Sequence, residues 1–180
     1  QLDLSACPHL HTLYVQNCSS LTQLNLTNSS NLYIATINNC PQLTQLNLSA
    51  CPHLHTVTIQ NCPNITDTTV QQVVEKAINL QVACFTGSSQ ITNASIQLLL
   101  SCSEINYIDF SLNANITPTA LELLAQHPTL TKVVLLACPQ ITKDATALAL
   151  SQRPPKYPLL QVIIVPPPPP HIPQRGDLTK

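Results

Sequence analysis

At 180 residues and 44% apolar content the chain has enough material for one domain with a substantial core. Only 8% of its residues are charged, against about 25% in ordinary domains, and its formal net charge is −1, so neither nucleic acid nor an anionic membrane surface is an expected partner. No apolar run approaches about 18 residues, so no membrane-spanning helix is expected.

The chain opens on LDLSACPHLHT at 2–12, and LNLSACPHLHT returns at 46–56. Between and beyond these copies, cysteine recurs every 11 residues at Cys7, Cys18, Cys40, Cys51 and Cys62, with Ser29 in the one gap. A short fixed period is the signature of a solenoid, whose units bury their apolar sides only against one another. Nothing at the start reads as a basic-then-apolar signal segment. The chain has no methionine and begins in mid-repeat at Leu2-x-Leu4, which reads as an excised fragment.

In register, seven strands are expected, starting at Leu10, Leu32, Leu54, Leu80, Ile105, Leu130 and Leu160. Their inward trios run from Leu10/Leu13/Val15, Leu32/Ala35/Ile37 and Leu54/Val57/Ile59 through Leu80/Ala83/Phe85 and Ile105/Ile108/Phe110 to Leu130/Val133/Leu135 and Leu160/Ile163/Val165. Up to residue 64 the connectors, LTQLNLTNSSN at 21–31 and LTQLNLSACPH at 43–53, are again strand-like. From Ile65 they change to ITDTTVQQVVEKAIN, ITNASIQLLLSCSE, ITPTALELLAQHPT and ITKDATALALSQRP. Apolar spacings of three and four, as in Ile116, Leu121, Leu124 and Ala125, predict four helices. Asp67, Asn93 and Thr117 are expected N-caps, with Pro118 at a first helical position. The expected organisation is a solenoid over 1–165, built of short 22-residue coils over 1–64 and longer strand–helix repeats over 65–165, then a proline-rich tail over 166–180.

The pattern L-x-x-L-x-L-x-x-C/N resembles the leucine-rich repeat. Cys62-Pro-Asn-Ile-Thr-Asp67, followed by an apolar helical stretch, and Cys138-Pro-Gln-Ile-Thr-Lys-Asp144 are similar to the cysteine-containing subfamily of F-box proteins. The resemblance covers about residues 2–165, with shorter coils over 1–64 than that subfamily uses, and no F-box lies in this span. It implies an α/β arc or horseshoe with one parallel sheet face, helices on the outer side, and a partner-binding habit. It also implies that the slot occupied by Cys18, Cys40, Cys62, Ser88, Asn113 and Cys138 sits under the turn after each strand and satisfies backbone groups there.

Six cysteines (Cys7, Cys18, Cys40, Cys51, Cys62 and Cys138) share one slot in the repeat. Side chains at one slot form a parallel ladder about 4.8 Å apart, a poor geometry for bridging, so buried free thiols and a reducing compartment are expected. Cys84 falls in an outward slot and is expected to be the exposed thiol.

Alternate strand residues point outward. One outward column reads His11, Tyr33, His55, Gln81, Asn106, Thr131, Gln161; the next reads Thr12, Ile34, Thr56, Val82, Tyr107, Lys132, Val162; the third reads Tyr14, Thr36, Thr58, Cys84, Asp109, Val134, Ile164. Three of the four tyrosines fall on this face, in a chain that is 3% aromatic. Exposed aromatics among few charges are what interface cores are enriched in. The candidate partner-binding residues are His11, Tyr14, Tyr33, Ile34, His55, Tyr107 and Asp109. His11 and His55 flank Tyr33 as a pH-sensitive patch. All of these point away from the core in this register, so truncating Tyr33 is expected to leave stability nearly unchanged.

Cys-Pro-His-Leu-His at 7–11 and 51–55 contains zinc-ligand types, but the ladder accounts for the cysteines and tandem duplication for the repetition. No metal and no cofactor are expected. No Ser-His-Asp set or carboxylate pair stands out, so an enzyme is not expected.

In the tail, Pro166–Pro170 favours an extended polyproline helix, and Pro170-x-x-Pro173-x-Arg175 fits the form that SH3-type domains bind; a stiff spacer is the plainer reading. Arg175-Gly176-Asp177 and seven N-x-S/T sequons, among them Asn25, Asn47 and Asn64, matter only outside the cell. The expected function is a protein–protein interaction module. The alternatives are the substrate-recognition part of a ubiquitin-ligase-type complex or secreted effector, and an extracellular adhesion or receptor fragment. Low charge and a near-identical duplication suit a bacterial protein acting in the cytoplasm or secreted into a host cytosol.

Overall fold

Short β-strands that alternate between two sheets open the chain: Leu2–Asp3 (β1), Thr12–Gln16 (β2), Gln23–Asn25 (β3), Ile34–Asn38 (β4), Gln45–Asn47 (β5) and Thr56–Gln60 (β6). Helices then replace every second strand: Asp67–Val74 (α1), Val82–Thr86 (β7), Asn93–Leu99 (α2), Tyr107–Asp109 (β8), Pro118–Ala125 (α3), Lys132–Leu136 (β9), Lys143–Ser151 (α4) and Gln161–Val165 (β10). The structure, a computed structural model, describes residues 1–165. Among the described residues the fold is α/β, with two parallel sheets and four helices. One sheet has three strands in the order β1-β3-β5, and the other has seven in the order β10-β9-β8-β7-β6-β4-β2.

The strand register follows the sequence period. Leu13 pairs with Ala35 and Ala35 with Val57; Leu2 pairs with Leu24 and Leu24 with Leu46. Beyond β6 the step lengthens, with Thr56 on Val82, Val82 on Tyr107 and Tyr107 on Lys132. Period-2 alternation leaves one file of each strand buried: Leu13 and Val15, Ala35 and Ile37, Val57 and Ile59. Phe85 and Phe110 are both fully buried and stack with centroids 5.8 Å apart.

The last strand departs from the expected register. Val162 pairs with Val133 and Ile164 with Leu135, so Val162 and Ile164 pack on the core rather than Ile163 and Val165. Leu160 is buried, Leu159 is 91% exposed and Val165 is exposed. The segment Pro154-Pro155-Lys156-Tyr157-Pro158 makes the connector one residue out of phase, and a one-residue slip moves every side chain to the opposite face. Arg153 anchors this connector, donating to the carbonyls of Ala125 (2.8 Å), His127 (3.1 Å), Leu130 (2.8 Å) and Pro158 (2.9 Å).

After β2, β4, β6, β7, β8 and β9 the chain turns through a left-handed residue: Asn17, Asn39, Asn61, Gly87, Leu112 and Ala137, with φ between 53° and 66°. Asparagine and glycine enter this region most readily. A Cβ on Gly87 would lie 3.0 Å from Asn61 Oδ1. The residue that follows is the slot residue of the repeat. Cys18, Cys40 and Cys62 donate to the carbonyls of Gln16, Asn38 and Gln60. Asn113 does more: Nδ2 donates to Phe85 O and Phe110 O, and Oδ1 accepts from Ser88 N.

The helix N-caps are Thr66, Thr92, Thr117 and Thr142. Thr117 and Pro118 are placed as expected, whereas Asp67 and Asn93 lie one residue inside their helices. Their side chains reach instead to the next helix, as described below.

Candidate functional site

The outward face of the seven-stranded sheet is assembled by the register just described. Thr12, Ile34, Thr56, Val82, Tyr107 and Lys132 lie in line across β2, β4, β6, β7, β8 and β9. Tyr14, Thr36, Thr58, Cys84, Asp109 and Val134 form the parallel line two residues further on. β10 breaks both lines by its one-residue slip: Gln161, not Val162, meets Lys132, and Ile163, not Ile164, meets Val134.

Just before these strands, Tyr33 N donates to His11 O (2.8 Å) and His55 N to Tyr33 O (2.9 Å). Such bonds hold neighbouring strands about 4.8 Å apart, within the roughly 4.5–7 Å centroid separation of offset-stacked rings. The His11 and Tyr33 rings stack at 5.3 Å and 22°, and the Tyr33 and His55 rings at 4.7 Å and 20°. The two imidazoles are oriented alike, with Nδ1 of His11 3.4 Å from Thr12 Oγ1 and Nδ1 of His55 3.1 Å from Thr56 Oγ1. Tyr33 is 38% exposed and Tyr14, on the edge strand β2, is 65% exposed; Ile34 and His55 are half-buried. His9, His53, Asn31 and Asn79 complete a groove of about 530 Å³ beside His11 and Tyr33. These four were missed from the sequence. The signal was present for His9 and His53, which hold the same place in the two CPHLH copies as each other, two residues before His11 and His55.

Tyr107 and Asp109 form a separate group. β8 lies three strands from β4, or about 14 Å. Lys132 Nζ sits 5.4 Å from the Tyr107 ring centroid. Burial, then the nearby Cys84 and Asp109, pushes the Tyr107 hydroxyl up from its ordinary range. Asp109 works within the fold: Oδ1 accepts from Ser111 N (2.9 Å) and Ser111 Oγ (2.6 Å), and Ser111 Oγ accepts from Leu136 N (3.0 Å).

Cys84 is not the exposed thiol. It faces outward in register but is 8% exposed, crowded by neighbours on the sheet. Burial, then the Asp109 charge, pushes it up to about 11, and a protonated thiol is a poor nucleophile. The exposed thiol is Cys7, while Cys18 is half-buried; both lie in the opening turns of the chain, where fewer neighbours cover the slot. All eight cysteines are free.

Among the described residues no group of three or more His, Cys, Asp or Glu is arranged to hold a metal ion, and no helix is long and apolar enough to cross a membrane. Pro170, Pro173 and Arg175 lie outside the described residues. No family model matches the chain, and no curated protein matches it.

Proposed function

We propose that this chain is a leucine-rich-repeat solenoid that recognises another protein through the outward face of its seven-stranded sheet, with Tyr33 at the centre of the contact. The repeat reading is supported by the 22-residue pairing step of β2, β4 and β6, the left-handed turn after each strand from β6 to β9 as after β2 and β4, and the Cys or Asn slot beneath it. The observation that carries the binding reading is the stack of His11, Tyr33 and His55, with Tyr33 and His11 exposed and Tyr14 exposed on the same face. Rings fixed against one another lose little freedom on binding, and large aromatic surfaces near few charges are typical contact anchors. The raised thiols of Cys51, Cys62 and Cys84 support a non-enzymatic role for the cysteines.

The test places a photo-crosslinking residue at Tyr33, with a control at the exposed Glu122 on α3, in cells of the source organism. One protein should be captured from position 33 and not from 122. Tyr33→Ala should then weaken that partner by about 2 kcal/mol or more. Capture from 122 alone, or equal capture from both, moves the interface off this face.

A further inference from the structure

The other sheet presents a surface of a different chemistry. β1, β3 and β5 repeat the pattern Gln-Leu-Asp/Asn-Leu, so Leu24 and Leu46 turn inward and amides line up outside. Gln23 Nε2 donates to Gln45 Oε1, Asn25 Nδ2 donates to Asp3 Oδ1 (3.1 Å), and Thr44 Oγ1 donates to Thr22 O (3.3 Å). Asn25 Oδ1 and Asn47 Oδ1 accept from Thr27 N and Ser49 N, which fixes both amide planes. Where the connector changes from extended to helical, α1 stands against β5 as a wall. Floor and wall enclose a groove of about 520 Å³, faced by Gln23, Asn25, Gln45, Asn47, Thr68 and Gln72.

The lining is unusual in what it lacks. It is made of Gln, Asn, Thr and two leucines and carries no ionisable side chain. Ligand pockets are ordinarily apolar with a few polar groups. An apolar ligand here would leave a rank of amides without partners, at a cost of roughly 1–3 kcal/mol each. Apart from the α-amino group of Gln1 the lining offers an anion no cation, and it offers a cation no carboxylate; Asp3, at the β1 end of the Asn row, already accepts from Ser5 N and Asn25 Nδ2. An extended peptide adding to the sheet beside α1 would need a free strand edge there, and β5 is bordered by β3 on one side and α1 on the other; the free edge is that of β1, at the opposite side of the sheet. What matches is a neutral ligand with many hydroxyls. Each amide offers two donors and an acceptor, and the internal bonds use Gln45 Oε1 and Asn47 Oδ1 as acceptors, leaving the NH2 groups of both residues for a ligand. The rungs repeat about every 4.8 Å, on the scale of one sugar ring.

We infer that the groove between the β1-β3-β5 sheet and α1 binds a neutral oligosaccharide, read by the Gln23–Gln45 and Asn25–Asn47 rungs. This site is independent of the Tyr33 face.

The experiment titrates the full chain with cellohexaose, xylohexaose and maltohexaose, with hexagalacturonate as the anionic control, and follows side-chain amide signals by two-dimensional NMR. At least one neutral hexamer should shift the amides of Gln23, Gln45 and Asn47 in a saturable way. Gln45→Ala and Thr68→Glu both change exposed positions, and acidic residues suit a first helical turn, so both variants should melt like wild type. Each should weaken binding about tenfold, the loss of a well-placed hydrogen bond or of groove space. The inference is overturned if no neutral hexamer shifts those signals at millimolar concentration. It is equally overturned if the anionic control binds in preference, or if both variants bind as wild type does.

Discussion

Asp67, the first residue of α1, caps a helix to which it does not belong: its carboxylate accepts from Thr92 N at 2.9 Å and from Thr92 Oγ1 at 2.7 Å, at the N-cap of α2. Ser95 Oγ donates to the same carboxylate. Asn93 repeats the arrangement one helix on, with Oδ1 accepting from Thr117 N (3.0 Å) and Nδ2 donating to Thr117 Oγ1 (2.6 Å). Pro118 holds the equivalent place in α3, and its apolar ring has no donor or acceptor to extend the series.

This arrangement sets a stability–pH profile with two steps. Burial raises the Asp67 carboxyl, but the bonds from Ser95 and Thr92 outweigh it and hold the group below its usual range. The unfolded chain therefore takes up this proton first, and the stabilisation present above about pH 3.8 is lost as pH falls through the lower folded value. Burial of His127, reinforced by the Arg153 charge and opposed by a bond to the Leu100 backbone, lowers its imidazole below 6.5. Here too the unfolded chain protonates first, so stability falls as pH drops below about 6.5. Thermal melts should show a shallow loss beginning near pH 6.5 and a second below pH 4. His127→Gln should remove the first step and Asp67→Asn the second. Asp67→Ala at neutral pH should cost about 1–2 kcal/mol. A melt that is flat from pH 7 to pH 4 would contradict the His127 assignment.

Ser29 tests the slot. It lies 22 residues, one coil, from both Cys7 and Cys51, is fully buried, and its hydroxyl has no partner among the described residues. An unpaired buried hydroxyl costs about 1–3 kcal/mol. Ser29→Ala deletes it at little change in volume, and Ser29→Cys restores the residue of the neighbouring rungs. Both should raise stability by about 1 kcal/mol, or about 2–4 °C in a chain of this size. Destabilisation by both would mean that the hydroxyl is bonded in solution.

How much of this was readable beforehand depends on whether the cause is local. The buried files of β2, β4 and β6 follow from alternation, and the change at Ile65 follows from apolar spacing. The slip in β10 did not, because the proline-rich connector before it allows two phases and only packing selects one. The cap partners of Asp67 and Asn93 lie 25 and 24 residues away, beyond any window that sees a capping motif. At the sheet face, the Tyr33 stack followed from the register alone. The separation of Tyr107 and Asp109 from it, and the structural use of Asp109, depended on where the longer repeats place Ser111 and Leu136.

Thiol reactivity gives a third prediction. Cys7 is exposed, Cys18 half-buried and the other six buried. Burial pushes Cys51, Cys62 and Cys84 up to about 11. Alkylation of the native chain at pH 8, followed by peptide mass spectrometry, should label Cys7 first and Cys18 more slowly. The remaining six should label only after denaturation. Cys84 reacting as fast as Cys7 would show that the middle of the sheet face opens.

Tyr33 and Tyr14 should separate in stability although both lie on one face. Their outward register alone predicts that truncating either is nearly free. The rings change that for Tyr33, which is held between His11 and His55 at 5.3 and 4.7 Å and keeps only 38% exposure. Aromatic pairs contribute about 0.5–1.5 kcal/mol beyond burial, so Tyr33→Ala should cost about 1–2 kcal/mol. Tyr33→Phe keeps the stack and should cost well under that. Tyr14 is 65% exposed, and Tyr14→Ala should stay within about 0.5 kcal/mol. A double cycle of Tyr33→Ala with His55→Ala isolates the pair, because each single change removes the same contact. The expected coupling is about 0.5 kcal/mol or more. Zero coupling, with Tyr33→Ala as harmless as Tyr14→Ala, would mean that the rings are not stacked in solution and that the face is less rigid than its geometry.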